Sequence, residues 1–552
     1  MSSTVQRSCS GAVVLRVWTR FRWYVLAAQS GLHWTGTRLP RVSALPNPGL
    51  DRIGGLDGVL REWWVQPQDG IHVGATEGSW RAVPIRNDFG LWPRRDPRLA
   101  PFIKTGMRLR AQPVATRATR ATLVLNTFAR YRLLIDGRLV AAPLPKSDYA
   151  FGDLRHEFDV EAGAHEMVIE IDAGAVTLSP SIFAARLLPS AAFRIAPAGA
   201  VDDDAEAFRY YEARSTAPAC PRDSWTTHER FALWRDEARA VLRRLMPSPP
   251  VAEEEGDLSP RVVERVEFDD HVRETVSISV EPGWRTEMHV LVPRGRGDGP
   301  WPGLLCLHGH GKGKDDLVGE DRGDPARRAT IDALNEDYAL RYVRRGYVTA
   351  VPSMRLLADR GLPRDSWKQT RRDVCDNGFV QAILCGAVPA ALDAWDSRRT
   401  LDLLETRPEV ARDQHGARLG CVGLSYGGRA AMFVTALDER IRAVVVSGAM
   451  NCFRERLISF ASCGSQFVPG LFAIGDTTEI LATIAPRPLL MELGSRDETS
   501  PAIFAEHMSH TLTRAYEAAG VPERLAFDVF EGEHRFSGRV ADGWLERWIP
   551  GG

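Results

Sequence analysis

The chain of 552 residues reads as α/β: a doubly wound, mostly parallel sheet over residues 258–552, preceded by a β-sandwich (jelly roll) over residues 55–199. Two observations predict this. In the second half, near-continuous apolar runs at 303–307, 347–351, 419–424, 443–446, 489–493 and 525–530 alternate with amphipathic stretches such as 333–345 and 391–406. Strands buried on both faces and spaced by helices are what a parallel sheet requires. In the first half, short β-rich runs at 121–126, 131–135 and 167–171 are separated by Gly, Pro and Asp, with no long amphipathic helix between them and Asp136-Gly137 as a tight-turn signal.

The other elements follow in order. Residues 1–54 hold an Arg-rich extension, with six arginines and no Asp, Glu or Lys in the first 50 residues. It reads as a poorly ordered extension or a targeting segment, the former favoured because no apolar stretch is followed by a cleavage site. Residues 200–257 read as a linker and leading helix, the helix over 226–245 and the break at Pro247-Ser-Pro-Pro250. Residues 275–280 and 286–292 are expected to open the second domain as antiparallel strands.

Composition narrows the function classes. With 44% hydrophobic and 26% charged residues the chain is an ordinary globular protein, and 70 Lys plus Arg against 71 Asp plus Glu leave a net charge of −1. No overall field favours nucleic acid or an anionic membrane, and no apolar run reaches the ~18 residues of a spanning helix. The eight cysteines are thinly spread, with no CxxC pair and no Cys/His cluster at zinc spacing. That predicts neither a disulfide scaffold nor a metal centre, and it fits a reducing, cytoplasmic compartment, with secretion left open by the unusual N-terminus.

The sharpest motif is Gly423-Leu-Ser425-Tyr426-Gly427-Gly428, directly after an apolar strand and directly before a helical run. A serine on such a turn is held proud of the sheet, and small residues on either side keep the turn from clashing with neighbouring strands. A serine nucleophile needs a base, and the base an orienting acid, in the chain order Ser, acid, His. Asp497 follows the strand at 489–493, and His534 follows the strand at 525–530. Both lie just beyond strand C-termini, the edge where open α/β sheets build sites. Glu492 and Glu498 compete for the acid role, and His507 and His510 read as surface histidines. The turn His308-Gly309-His310-Gly311 after the strand at 303–307 supplies a place for an oxyanion, with the backbone N–H groups of His310 and Tyr426 as donors. The P-loop pattern is not matched there.

Over residues 260–550 these motifs, together with Trp395-Asp-Ser-Arg-Arg399, resemble the α/β-hydrolase superfamily, in its dienelactone-hydrolase-like and acetyl-xylan-esterase-like branch. The resemblance implies Ser425 as nucleophile, His534 as general base and acid, and Asp497 as its orienting carboxylate, with no cofactor and no metal. The residue after the nucleophile is Tyr426, where the cephalosporin-deacetylating esterases have Gln, so the substrate is not carried over. The stretch 130–171 resembles the galactose-binding-like jelly rolls that precede catalytic domains in several glycoside hydrolases.

The expected activity is therefore cleavage of a carboxylic ester on a small molecule or saccharide, with an acetylated carbohydrate as first substrate. A serine peptidase or amidase, and a glycan-binding protein with a vestigial hydrolase domain, remain as alternatives. The long connections at 354–390 and 452–484 are expected to wall the pocket, with Arg355, Trp367 and Arg371 as substrate contacts. Oligomeric state is not set by the sequence.

Overall fold

The computed structural model describes residues 62–67, 81–84, 107–126, 131–141, 154–171, 184–188, 192–194, 225–249, 257–311, 313–361, 374–453, 463–495, 497, 499–500 and 502–551. The Arg-rich stretch 1–54, Glu498, Trp367 and Arg371 lie outside the described residues.

The N-terminal strands are β1 (Glu62–Pro67), β2 (Arg81–Pro84), β3 (Met107–Ala111), β4 (Val114–Ala115), β5 (Thr119–Asn126), β6 (Tyr131–Ile135), β7 (Arg138–Ala141), β8 (Leu154–Val160), β9 (Gly163–Ala164), β10 (Met167–Ile171), β11 (Ala184–Leu188) and β12 (Phe193–Arg194). They form a six-stranded sheet in the order β2-β1-β3-β10-β6-β7 and two three-stranded sheets, β11-β5-β8 and β12-β4-β9. Each described pairing is antiparallel. The consecutive strands β3, β4 and β5 fall in three different sheets, a shuttling that separates this region from a simple meander. Asp136 and Gly137 join β6 to β7 with φ of 48° and 75°, the left-handed conformation a two-residue hairpin loop demands.

Helix α1 (His228–Leu245) begins where Thr227 accepts the Arg230 N–H, a side-chain cap on an otherwise orphaned donor. Its buried face carries Phe231, Trp234, Ala238 and Leu242, which join the same apolar cluster as the strands of the large sheet. Arg239, buried on that face, donates to the Thr483 carbonyl at 2.8 Å and pairs with Glu439.

The large sheet has nine strands, β13 (Arg261–Glu267), β14 (His271–Glu281), β15 (Trp284–Pro293), β16 (Gly303–Leu307), β17 (Val348–Pro352), β20 (Leu419–Leu424), β21 (Ile441–Ser447), β22 (Leu489–Gly494) and β23 (Leu525–Phe530), with a small hairpin of β18 (Arg412–Asp413) and β19 (Gly416–Ala417) beside it. The order is β13-β14-β15-β17-β16-β20-β21-β22-β23. The first four strands pair antiparallel and every later neighbour is parallel. Alternation sets the two faces: Leu305 and Leu307 enter one apolar cluster, Leu304 and Cys306 the other. Cys306 and Cys421 are both fully buried, and burial pushes their thiols well up, as expected of cysteines used as small hydrophobes.

The helices between these strands are α2 (Lys314–Leu317), α3 (Pro325–Leu334), α4 (Tyr338–Val343), α5 (Val374–Leu384), α6 (Pro389–Thr406), α7 (Tyr426–Leu437), α8 (Thr477–Ala482) and α9 (Ala502–Ala518), and α10 (Ala541–Trp548) follows the last strand. The amphipathic stretch expected as one helix over 333–345 is two. Asn335 adopts the left-handed conformation at φ 49° and closes α3, and α4 restarts at Tyr338. Among the described residues no single helix is long and apolar enough to cross a membrane.

Candidate active site

The order β17-β16-β20 reverses the direction in which the chain adds strands, and such a switch opens a crevice at the strand C-termini. The turn after β16 and the turn after β20 border it. Ser425 sits between β20 and α7 at φ 62°, ψ −122°, a conformation that costs a non-glycine residue about 1–3 kcal/mol and holds only when the surroundings enforce it. Here they do. The Ser425 N–H donates to the Ser447 carbonyl at 2.9 Å, and its carbonyl accepts from Arg429 N at 3.0 Å. The flanking glycines are required by contact: a Cβ on Gly423 would lie 2.2 Å from the Gly427 oxygen, on Gly427 1.9 Å from the Leu307 oxygen, and on Gly428 2.5 Å from the Ser447 oxygen.

The turn after β16 runs against the serine. A Cβ on Gly309 would fall 3.2 Å from Ser425 Cβ and 3.8 Å from its Oγ. His308 is buried, its Nε2 accepting from Met354 N and its Nδ1 donating to the Gly309 carbonyl, both at 3.0 Å. Burial lowers its pKa, so it is a neutral strut. The Lys314 ammonium is held by Asp359 at 2.6 Å, which occupies the cation a phosphate loop would need. The Tyr426 hydroxyl donates to Asp393 at 2.7 Å, anchoring the side chain inward while its backbone N–H opens α7, where no intrahelical acceptor exists. Burial, only partly offset by that bond, pushes the Asp393 carboxyl up to about 7.

Asp497 and His534 meet at the ends of β22 and β23. His534 Nδ1 donates to Asp497 Oδ2 at 2.7 Å. The other carboxylate oxygen, Oδ1, accepts from Thr499 N, Thr499 Oγ1 and Ser500 N at 2.8–3.0 Å, so the acid is fixed on both sides and 1% exposed. The two loops interlock: a Cβ on Gly494 would strike the Glu533 oxygen at 2.3 Å, and Ser495 N donates to the Phe530 carbonyl at 2.7 Å. The imidazole lies over the end of β21, where a Cβ on Gly448 would come within 2.8 Å of His534 Cε1 and 3.0 Å of Leu424 Cδ1. Ser425 and His534 thus converge on the same strand end, and the bond to Asp497 fixes Nδ1 as a donor and leaves proton exchange to Nε2.

Several residues that sequence reasoning did not single out support this centre. The buried Arg429 bonds Thr477 Oγ1 at 2.8 Å and Asn451 Oδ1 at 2.5 Å, and its guanidinium lies 4.3 Å from the Phe453 ring centroid. Asn451 in turn donates to Ser500 Oγ at 2.8 Å, and Ser500 Oγ to the Gly448 carbonyl at 3.0 Å. A hydrogen-bonded chain therefore runs from the helix that follows Ser425 to the loop that holds Asp497. Glu336 lies near Gly311 and Asp316, and burial first, then the Asp316 charge, raises its carboxyl to about 7. Glu492, weighed above as a rival acid, instead accepts from Ser447 Oγ, Ser537 N and Gly538 N at 2.7–2.9 Å, tying β21 and β22 to the segment beyond His534.

Arg355 does not offer its charge to the crevice. Its guanidinium forms a two-pronged pair with Asp396 at 2.7 and 2.9 Å and a further bond to Glu281, and Arg360 also reaches Asp396 at 2.6 Å. His510, on α9, is exposed, as expected. One grouping was invisible to sequence spacing: His310, Cys375 and Cys463 bring their ligand atoms within 4.8 Å of one another.

A nine-stranded sheet with a serine on a strained turn between strand and helix, and a paired Asp and His beyond the later strands, defines an α/β-hydrolase fold. A model described as the Abhydrolase family matches residues 212–539, and the chain belongs to that family. It is similar to the Bacillus subtilis (strain 168) protein named "Putative hydrolase YtaP", at 25% identity over 300 residues, 52% of this chain and 90% of that one. Among solved structures it is similar to one described as "a putative acetyl xylan esterase (BF1801)" of Bacteroides fragilis NCTC 9343, with a TM-score of 0.51, 18% identity, and 63% and 96% of the two chains covered. A glucuronoyl esterase from Solibacter usitatus aligns with a TM-score of 0.41 and 18% identity over 56% of this chain and 90% of that one.

Proposed function

We propose that the chain is a serine carboxylester hydrolase acting through Ser425, His534 and Asp497. The observation that carries the reading is the Asp497–His534 bond of 2.7 Å, with the imidazole beside Gly448 at the end of β21, where the Ser447 carbonyl accepts the N–H of the strained Ser425. In this reading Ser425 Oγ attacks the ester carbonyl carbon as His534 Nε2 takes its proton. Asp497 keeps Nδ1 protonated and stabilises the imidazolium that forms. The N–H groups of His310 and Tyr426 receive the oxyanion, each such donor being worth about 10²–10³ in rate. Collapse expels the alcohol with the proton from His534, and a water deprotonated by the same nitrogen then attacks the acyl-enzyme and releases the acid.

The substrate we favour is an acylated carbohydrate, an acetylated saccharide first. The name of the Bacteroides fragilis neighbour supports this choice.

The test is hydrolysis of short-chain aryl acetates, an acetylated sugar panel and an aryl amide by the full chain and by Ser425→Ala. The expected result is ester turnover, with the sugar acetates preferred, lost by about 10⁴-fold or more in the variant. Equal turnover by Ser425→Ala would overturn the reading, and cleavage of the amide alone would move it to the peptidase class.

A further inference from the structure

Beside the proposed oxyanion turn lies a pair of thiols from two other segments. His310 lies just past β16, Cys375 in the first turn of α5, and Cys463 at the edge of the connection before α8. Their reactive atoms converge, with His310 Nε2 3.5 Å from Cys375 Sγ and the two sulfurs 2.8 Å apart. Both thiols are buried, at 3% and 9% exposure, whereas His310 is exposed, so the group is lined by protein on the sulfur side and open on the imidazole side.

We propose that His310, Cys375 and Cys463 form a binding site for a thiophilic divalent cation of the zinc type. Two thiolates and an imidazole are a donor set for such ions, with bonds of about 2.3 Å to sulfur and 2.0 Å to nitrogen. Around a tetrahedral ion those lengths put sulfur and nitrogen about 3.5 Å apart, as found here, and the sulfurs about 3.8 Å apart. Binding therefore requires the sulfurs to open by about 1 Å, and three ligands leave one position for water. An imidazole is not needed to close a disulfide, and its presence beside both sulfurs favours the metal. The His310 ring also meets the Tyr426 ring edge-on at 5.2 Å, so an ion held here braces the two residues whose N–H groups are assigned to the oxyanion.

The probe is Co²⁺ added to the reduced full chain, read by its thiolate-to-cobalt absorption and by competition with a chelator, without substrate. One equivalent is expected to bind with the thiolate band and to be displaced by Zn²⁺. Cys375→Ser and Cys463→Ser are each expected to weaken binding by more than about a hundredfold, beyond what loss of an outer-shell partner costs, while Cys385→Ser, an exposed cysteine outside the group, leaves it unchanged. Cys463→Ala serves where the serine variant does not fold. Absence of the band in the reduced chain, or binding unchanged by the Cys375 and Cys463 variants, overturns the proposal. This readout does not depend on Ser425, so the esterase reading and the metal site fail separately.

Discussion

Three buried carboxyls, Glu336, Asp393 and Glu492, are each raised to about 7, chiefly by burial. A carboxyl raised in the folded state keeps its proton where the unfolded chain has lost it. Stability from such a group is full below the ordinary carboxylate range and falls as pH rises towards 7, by about 1.4 kcal/mol per unit of pH for each group. Thermal melts are expected to drop between pH 5 and pH 7.5, and Glu336→Gln, which removes one titrating group, is expected to flatten that slope. An unchanged slope in the variant would show Glu336 ionised throughout. At this scale the sequence exposed only part of the site. Ser425, Asp497 and His534 follow strand ends in a fixed chain order, which is readable. Arg429, Asn451, Ser500 and Glu336 act through contacts between distant segments, and neither an arginine on a helix nor a serine in a loop carries a spacing signal.

Among the elements, the junction of β20 and α7 is the most constrained. Gly427 passes so close to the end of β16 that any side chain meets the Leu307 carbonyl, an oxygen that also accepts from the buried Tyr338 hydroxyl. Neither backbone can give way without breaking that bond or the parallel pairing of β16 with β20. Gly427→Ala is expected to cost about 3 kcal/mol or more, as overpacking into backbone does, measured by denaturant melts. Gly543→Ala, whose Cβ meets nothing, serves as the reference and is expected to change stability by less than about 1 kcal/mol. The strands of this region were legible because parallel strands buried on both faces leave unbroken apolar runs. The break at Asn335 was not, since the 333–345 stretch stays amphipathic across it and a single residue in the left-handed conformation, with no glycine to mark it, divides the helix.

For the molecule as a whole, α1 precedes the large sheet in sequence yet shares its core. Trp225, Phe231 and Trp234 contact one another with ring centroids 4.5–5.7 Å apart inside the main apolar cluster. Phe231→Ala is expected to destabilise the unit by about 3–5 kcal/mol and to shift loss of helix signal and loss of ester turnover together. A shift in one alone would mean that α1 unfolds independently. The sheet also has a history in time. β16 pairs with β20 only after the chain from 308 to 418 has been looped out, and the strand before His534 is added at the far end of the order. Pairings of such sequence separation are the slow ones in folding. Ser425, Asp497 and His534 come together only when the last of these partners has docked, so the hydrolysis proposed for them is a late clock for this protein, starting to run after its helices have formed.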